Sequence, residues 1–85
     1  MNAPSALFWR CRRGTRELDL MLERFLEAHW PGLDAAQRQA FEALLQREDD
    51  DLQRWLLYGE AVEVAELAPI AARVRAAFVP NDGPD

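Results

Sequence analysis

Residues 15–32 read TRELDLMLERFLEAHWPG and contain the clearest periodicity in the chain. Their apolar side chains recur at intervals of three and four residues, the spacing that lines one face of an α-helix. This set is Leu18, Met21, Leu22, Phe25, Leu26 and His29. Thr15 is the predicted N-cap and Glu17 lies in the first turn. Pro31 disfavours helical backbone in Trp30, so the sequence predicts that the helix ends there.

A shorter helix is predicted on the N-terminal side of this segment. Ser5 is its expected N-cap and Arg13 its last residue, which places Arg12 and Arg13 in the final turn, where cations suit the helix dipole. Gly14 follows as a residue that readily takes a positive φ. The sequence therefore predicts two helices joined at Gly14.

Three further helices are predicted on the C-terminal side. Asp34 and Gln37 have the spacing of a capping box, with Asp in place of Ser or Thr. The acidic run 48–51 provides a cap and first-turn acids for a short fourth helix, and Pro69 must lie near the start of the last helix. The apolar residues expected to fill the core from these helices are Phe41, Leu44, Leu45, Leu52, Trp55, Leu56, Leu67, Ile70, Ala71, Val74 and Phe78.

No segment alternates between apolar and polar residues as a strand would. We therefore predict an all-α fold, a small bundle of four to five short helices. Eighty-five residues suffice for one core. We expect residues 1–79 to form a single helical domain and residues 80–85 to be a disordered tail.

The net charge of −5 is unevenly distributed. Residues 1–16 carry four arginines and no acid, a charge of +4, whereas residues 17–85 carry six arginines against fifteen acids, a charge of −9. An acidic body would repel a phosphate backbone outside the basic patch. The distribution therefore favours a protein partner over nucleic acid.

The composition disfavours several kinds of site. The single cysteine, Cys11, excludes an intramolecular disulfide, and with one histidine, His29, the chain cannot build a zinc site from Cys and His alone. Nearby arginines would lower the pKa of the Cys11 thiol, but no base is evident beside it, so we expect a partly buried structural residue. His29 is expected to be partly buried, and the acids 48–51 lack the spacing of a calcium loop. We expect no catalytic residue, metal or stably bound cofactor.

Two sequence features bear on location. No apolar run reaches the roughly 18 residues of a membrane span. The N-terminus lacks a charged segment followed by an apolar one, so no secretory signal is apparent. We therefore expect a cytoplasmic protein.

The candidate partner-binding residues cluster around Gly14. They are Trp9, Arg10, Arg12, Arg13, Gly14, Arg16 and Glu17. Ordinary helix capping explains Gly14, Thr15 and one arginine, but not four arginines within seven residues. Tryptophan beside arginine is a common composition of a protein interface. The alternative is a helix-turn-helix regulator that binds DNA through the four arginines, although no polar recognition helix is evident.

Residues 12–19, RRGTRELD, resemble the Arg-Gly-x-x-Glu signature of the succinate dehydrogenase assembly factors, a family also called FAD assembly factors or flavinators. Arg13, Gly14 and Glu17 occupy its fixed positions. A second block is also similar to the family. It consists of Phe41, Leu44 and Leu45, then Asp49 or Asp51 with Leu52, then Trp55 and Leu56. The resemblance covers residues 7–75 and is weaker towards the C-terminus.

This resemblance implies a small five-helix protein that is not an enzyme. Members of the family bind the flavoprotein subunit of succinate dehydrogenase, and in bacteria that of fumarate reductase, and promote covalent attachment of FAD to a histidine of that subunit. The signature surface faces the partner. Arg13 would then offer its fork of donors to the partner, Gly14 would allow close approach, and Glu17 would bind the partner or orient Arg13. We expect a monomer in the absence of the partner.

Overall fold

A computed structural model describes residues 3–78, which form five α-helices and no strand. The helices are α1 (Ser5–Arg10), α2 (Arg16–His29), α3 (Ala35–Leu45), α4 (Asp49–Leu52) and α5 (Ala68–Ala77). A short 3-10 turn, Trp30–Gly32, follows α2, and a π-helical turn, Gln53–Leu57, continues α4. The predicted all-α bundle is confirmed. The predicted disordered tail, 80–85, lies outside the described residues.

Helix α2 forms the centre of the core, as its periodicity predicted. Its buried residues are Leu18, Met21, Leu22, Phe25 and Leu26. The Phe25 ring lies 5.4 Å from that of Phe41 on α3, and Trp30 meets Phe41 edge-on at 6.4 Å. Helix α5 packs against α2, α3 and the π-helical turn. The interior is thus formed by apolar side chains from several helices.

The join between α2 and α3 follows the predicted capping chemistry. Pro31 and Gly32 end α2 in the 3-10 turn, and Trp30 is buried over the core. The Asp34 carboxylate accepts a hydrogen bond from the Gln37 N–H at 2.8 Å, and the Gln37 side-chain oxygen accepts one from the Asp34 N–H at 2.9 Å. The capping box therefore satisfies two backbone donors at the start of α3.

Helix α1 differs from its prediction at both ends. Its N-cap is Pro4, not Ser5, because the Pro4 carbonyl already accepts from the Leu7 N–H at 3.0 Å. It ends at Arg10 rather than Arg13, since the Arg12 N–H closes the last turn onto the Trp9 carbonyl at 3.1 Å. The expectation that Arg12 and Arg13 lie in the final turn was wrong. Both belong to the connection between α1 and α2.

The C-terminal part largely follows the sequence. Trp55 is buried and its indole N–H donates to the Glu63 carboxylate at 2.9 Å. In the π-helical turn the Tyr58 N–H reaches back five residues to the Gln53 carbonyl at 3.0 Å. Pro69 lies in the first turn of α5, where its missing N–H costs nothing. Phe78 was expected in the core, but α5 ends before it and its side chain is only partly buried.

Candidate partner-binding surface

The candidate residues lie on and beside the connection between α1 and α2, residues 11–15, which we call the Gly14 loop. Gly14 is exposed and has a φ of +94°, a conformation that other residues rarely adopt. A Cβ at this position would meet no atom within 4 Å. The chain itself therefore needs a glycine here for its backbone conformation, and the space outside Gly14 is open.

Arg13 is turned inward, towards the C-terminal end of α3. Its Nε donates to the Asp49 carboxylate at 2.8 Å. Its Nη1 donates to the carbonyls of Leu45 at 2.7 Å and Arg10 at 3.2 Å, and its Nη2 donates to the carbonyl of Arg47. The guanidinium thus binds four oxygens from three parts of the chain.

These acceptors explain why the chain does not continue α1 as far as Arg13. The last carbonyls of a helix lack partners within the helix and carry partial negative charge, and an arginine fork can satisfy several at once. Only 15% of the Arg13 side chain is exposed. The expectation that Arg13 offers its fork to a partner is therefore corrected, because the fork is occupied within the molecule.

Two further contacts fix the Gly14 loop. The Arg13 N–H donates to the Asp19 carboxylate at 2.6 Å, and the Gln53 amide donates to the Thr15 hydroxyl at 3.1 Å. Thr15 is at the N-cap position of α2, as predicted, but its hydroxyl does not cap the helix. The hydroxyl instead joins the loop to the π-helical turn. The loop is therefore tied to three separate segments of the chain.

The outward side of the loop carries the exposed candidates. Trp9 is 70% exposed, and the Arg12 guanidinium lies 5.3 Å from the centre of its ring. Arg12 also forms a long ion pair with Glu23 at 3.7 Å. Arg16 and Glu17 are exposed. Together with Gly14, these residues present an aromatic ring and charges of both signs.

Arg10 is only partly exposed and joins α1 to α3. Its Nη2 donates to the carbonyl of Glu42 at 3.2 Å. With Arg13 also turned inward, only Arg12 and Arg16 of the four clustered arginines are exposed. The DNA-binding alternative required all four, so the structure gives it less support than the sequence did.

Glu17 does not orient Arg13. Within the described residues it forms no ion pair or side-chain hydrogen bond, and Asp49 orients Arg13 instead. The sequence left Asp49 and Asp51 as alternatives in the second block, and the structure separates their roles. Asp51 pairs with Arg47 at 3.2 Å and with Arg54 at 2.7 Å.

Sequence reasoning did not select Tyr58 as a surface residue. It follows the π-helical turn and is 68% exposed. A lone aromatic residue after an apolar helical stripe gives no signal that separates the core from the surface, so this exposure becomes visible only in three dimensions.

The two reactive side chains considered earlier pack within the fold. Cys11 is fully buried, and this burial raises the pKa of its thiol to about 12, beyond the opposing effect of Arg13 and Arg10. The His29 ring is partly buried and stacks on Phe25 at 5.0 Å. Across residues 3–78 no cluster of three His, Cys, Asp or Glu side chains is suited to a metal ion. None of the helices described is both long and apolar enough to span a membrane.

Comparison with known proteins shows to which family the chain belongs. The sequence profile of the family described as flavinator of succinate dehydrogenase matches residues 5–78. The chain belongs to this family. The matched region contains all five helices and the whole Gly14 loop.

Several curated relatives are named FAD assembly factor SdhE. The protein from Methylococcus capsulatus is 41% identical, over 89% of this chain and 92% of its own. The protein from Coxiella burnetii is 37% identical, over 88% of this chain and 95% of its own. One from Xylella fastidiosa (strain 9a5c) is 41% identical, over 82% of this chain and 72% of its own. The similarity therefore extends over most of the chain.

Proposed function

We propose that this protein is an assembly factor that promotes covalent attachment of FAD to the flavoprotein subunit of succinate dehydrogenase. It acts by binding that subunit through the outward side of the Gly14 loop. The family match over residues 5–78 carries the proposal. The outward residues in question are Trp9, Arg12, Gly14, Arg16 and Glu17.

The physical character of this surface supports a protein partner. A large exposed aromatic ring beside an arginine is typical of residues that dominate binding energy. Exposed charges of both signs favour a partner with a complementary arrangement of charges. The open space at Gly14 allows a partner backbone to approach closely. Arg10 and Arg13 contribute by holding this surface in place.

The attachment chemistry belongs to the flavoprotein and its flavin in this proposal. Cys11 is buried and protonated at neutral pH, and therefore offers no nucleophile. The assembly factor instead stabilises an arrangement of its partner that favours bond formation. The proposal includes the fumarate reductase flavoprotein as a second partner, a monomeric free protein without stably bound FAD, and a cytoplasmic location.

Deletion of the gene provides the direct test. We expect the denatured flavoprotein subunit from the deletion strain to show much weaker covalent flavin fluorescence in a gel. The wild-type gene should restore the signal. The Glu17→Ala variant should restore it poorly, whereas Glu27→Ala, an equal change of charge at another exposed site on α2, should restore it fully. Undiminished fluorescence after deletion would exclude the proposed function.

Gly14 allows a second matched comparison. Gly14 and Gly59 both have positive φ, so alanine at either site adds backbone strain of about 1–2 kcal/mol. The Cβ of alanine at Gly59 would also come within 2.9 Å of the Arg75 guanidinium, which must move to make room. We expect both variants to lose some stability, but only Gly14→Ala to lower flavin attachment. Equal flavin attachment by the two variants would argue against a partner contact at Gly14.

A further inference from the structure

We propose that Asp49 is a positioning residue for the flavoprotein-binding surface. It holds Arg13, and through Arg13 the Gly14 loop, in the conformation that binds the partner, without contacting the partner itself. This inference rests on the function proposed above. It assigns a role in binding to a residue that lies on α4, outside the loop.

Asp49 differs in kind from the other acceptors around Arg13. The other three are backbone carbonyls of Arg10, Leu45 and Arg47, whereas Asp49 brings a full negative charge. Charge-assisted hydrogen bonds are about twice as strong as neutral ones. The Asp49 bond is made by Nε, while the carbonyls take the two terminal nitrogens. Asp49 therefore fixes the direction from which the guanidinium enters the cluster.

The neighbouring acids cannot replace Asp49 in this arrangement. The Asp51 carboxylate is already paired with Arg47 and Arg54. Asp50 is exposed and makes no ion pair among the described residues. Of the three consecutive aspartates, only Asp49 reaches Arg13. The geometry thus distinguishes residues that are equivalent in the sequence.

The conformation of the Gly14 loop depends on such side-chain contacts. In the described chain, no backbone N–H of residues 13–15 donates to a backbone carbonyl. The loop is fixed by the Arg13 guanidinium, by Asp19 and by Gln53. When one of these contacts is removed, the loop populates other conformations. The apparent dissociation constant then rises in inverse proportion to the fraction of the free protein that remains binding-competent.

The test compares Asp49→Ala with Asp50→Ala. Both remove one negative charge from the first turn of α4, but only the first removes a bond to Arg13. We expect the dissociation constant for the purified flavoprotein subunit, measured by calorimetry, to rise about tenfold for Asp49→Ala. This corresponds to about one tenth of the free variant being in the binding-competent conformation. Asp50→Ala should stay within about twofold of wild type. Asp49→Asn keeps an oxygen acceptor but loses the charge, so it should recover only part of the affinity.

A double variant separates positioning from direct contact. If Asp49 acts through Arg13, Asp49→Ala should weaken binding by less than about twofold when added to Arg13→Met, which cannot bind Asp49. Hydrogen exchange at the Arg13 amide of the free protein, which donates to Asp19, should also be faster in Asp49→Ala. Additive losses of affinity would show that Asp49 touches the partner directly, and would overturn the inference. A lower melting temperature with unchanged affinity would reduce Asp49 to a purely structural role, and would overturn it too.

The outcomes separate this inference from the proposed function. If the wild-type protein does not bind the flavoprotein subunit, the proposed function fails. If the wild type binds, and Asp49→Ala binds equally well, only the positioning role fails. Asp49→Asn keeps the test decisive if the alanine variant does not fold.

Discussion

Cys11 lies among arginines in the sequence, but its side chain is part of the buried core. The neighbouring arginines favour the charged thiolate, whereas burial favours the neutral thiol. Burial is the larger effect here, because it raises the pKa of the thiol to about 12. Proximity in the sequence is therefore a poor guide to this residue, since it does not show which way the side chain points.

The raised pKa of Cys11 predicts a loss of stability in alkaline solution. Between pH 9 and 12 the thiol of the unfolded chain ionises while the folded chain keeps its proton. The unfolded state then binds fewer protons, so the free energy of unfolding falls by about 1.4 kcal/mol per pH unit. Urea titrations across this range would measure the slope. The Cys11→Ala variant should lack this contribution, and an unchanged slope in that variant would contradict the prediction.

Gly14 and Arg13 differ in how far the sequence alone predicts their structure. Gly14 was predicted to take a positive φ, because the chain needed a turn between two periodic segments, and this is confirmed. The inward direction of Arg13 was not predicted. It depends on carbonyls at the end of α3 and on Asp49, more than thirty residues away along the chain. No local pattern encodes a contact over such a separation.

At the level of helices, periodicity and capping signals located α2 and α3 well. Pro31 and Asp34 act within a few residues, so their effect on helix ends can be read directly. The end of α1 was wrong by three residues, because the chain leaves the helix to bring Arg13 to its acceptors. Tertiary contacts thus override a weak local preference in a short predicted helix.

The capping box of α3 yields a prediction at this scale. Asp34→Ala leaves one backbone N–H in the first turn of α3 without its side-chain acceptor and should lower the free energy of unfolding by about 1 kcal/mol. Chemical denaturation would measure the loss. Gln39→Ala, at an exposed position on the same helix, should change stability by no more than about 0.5 kcal/mol. A loss as small for Asp34→Ala would show that the box contributes little.

For the whole molecule, the expected stability depends on a few large buried side chains. Trp55 is 1% exposed, lies under the guanidinium groups of Arg47 and Arg54, and donates a hydrogen bond to Glu63. Replacing it by alanine should cost about 3–5 kcal/mol. Small domains have a total stability of about 5–15 kcal/mol, so this change removes a large share of it.

Tyr58 provides the control for that prediction. It is an aromatic residue three positions away, but it is 68% exposed, so Tyr58→Ala should change the free energy of unfolding by about 0.5 kcal/mol or less. Urea denaturation followed by circular dichroism measures both variants. Similar losses for the two would mean that the core does not depend on Trp55.

The side chains that fasten the Gly14 loop are distinct from those that face outward. Arg13, Asp19, Asp49 and Gln53 hold the loop, whereas Trp9, Arg12, Arg16 and Glu17 are exposed beyond it. Exposed positions usually change stability little when they are substituted. In the proposed binding mode, evolution can therefore retune the outward residues to another flavoprotein with little loss of folding stability, and a protein engineer could redirect the same loop to a new target.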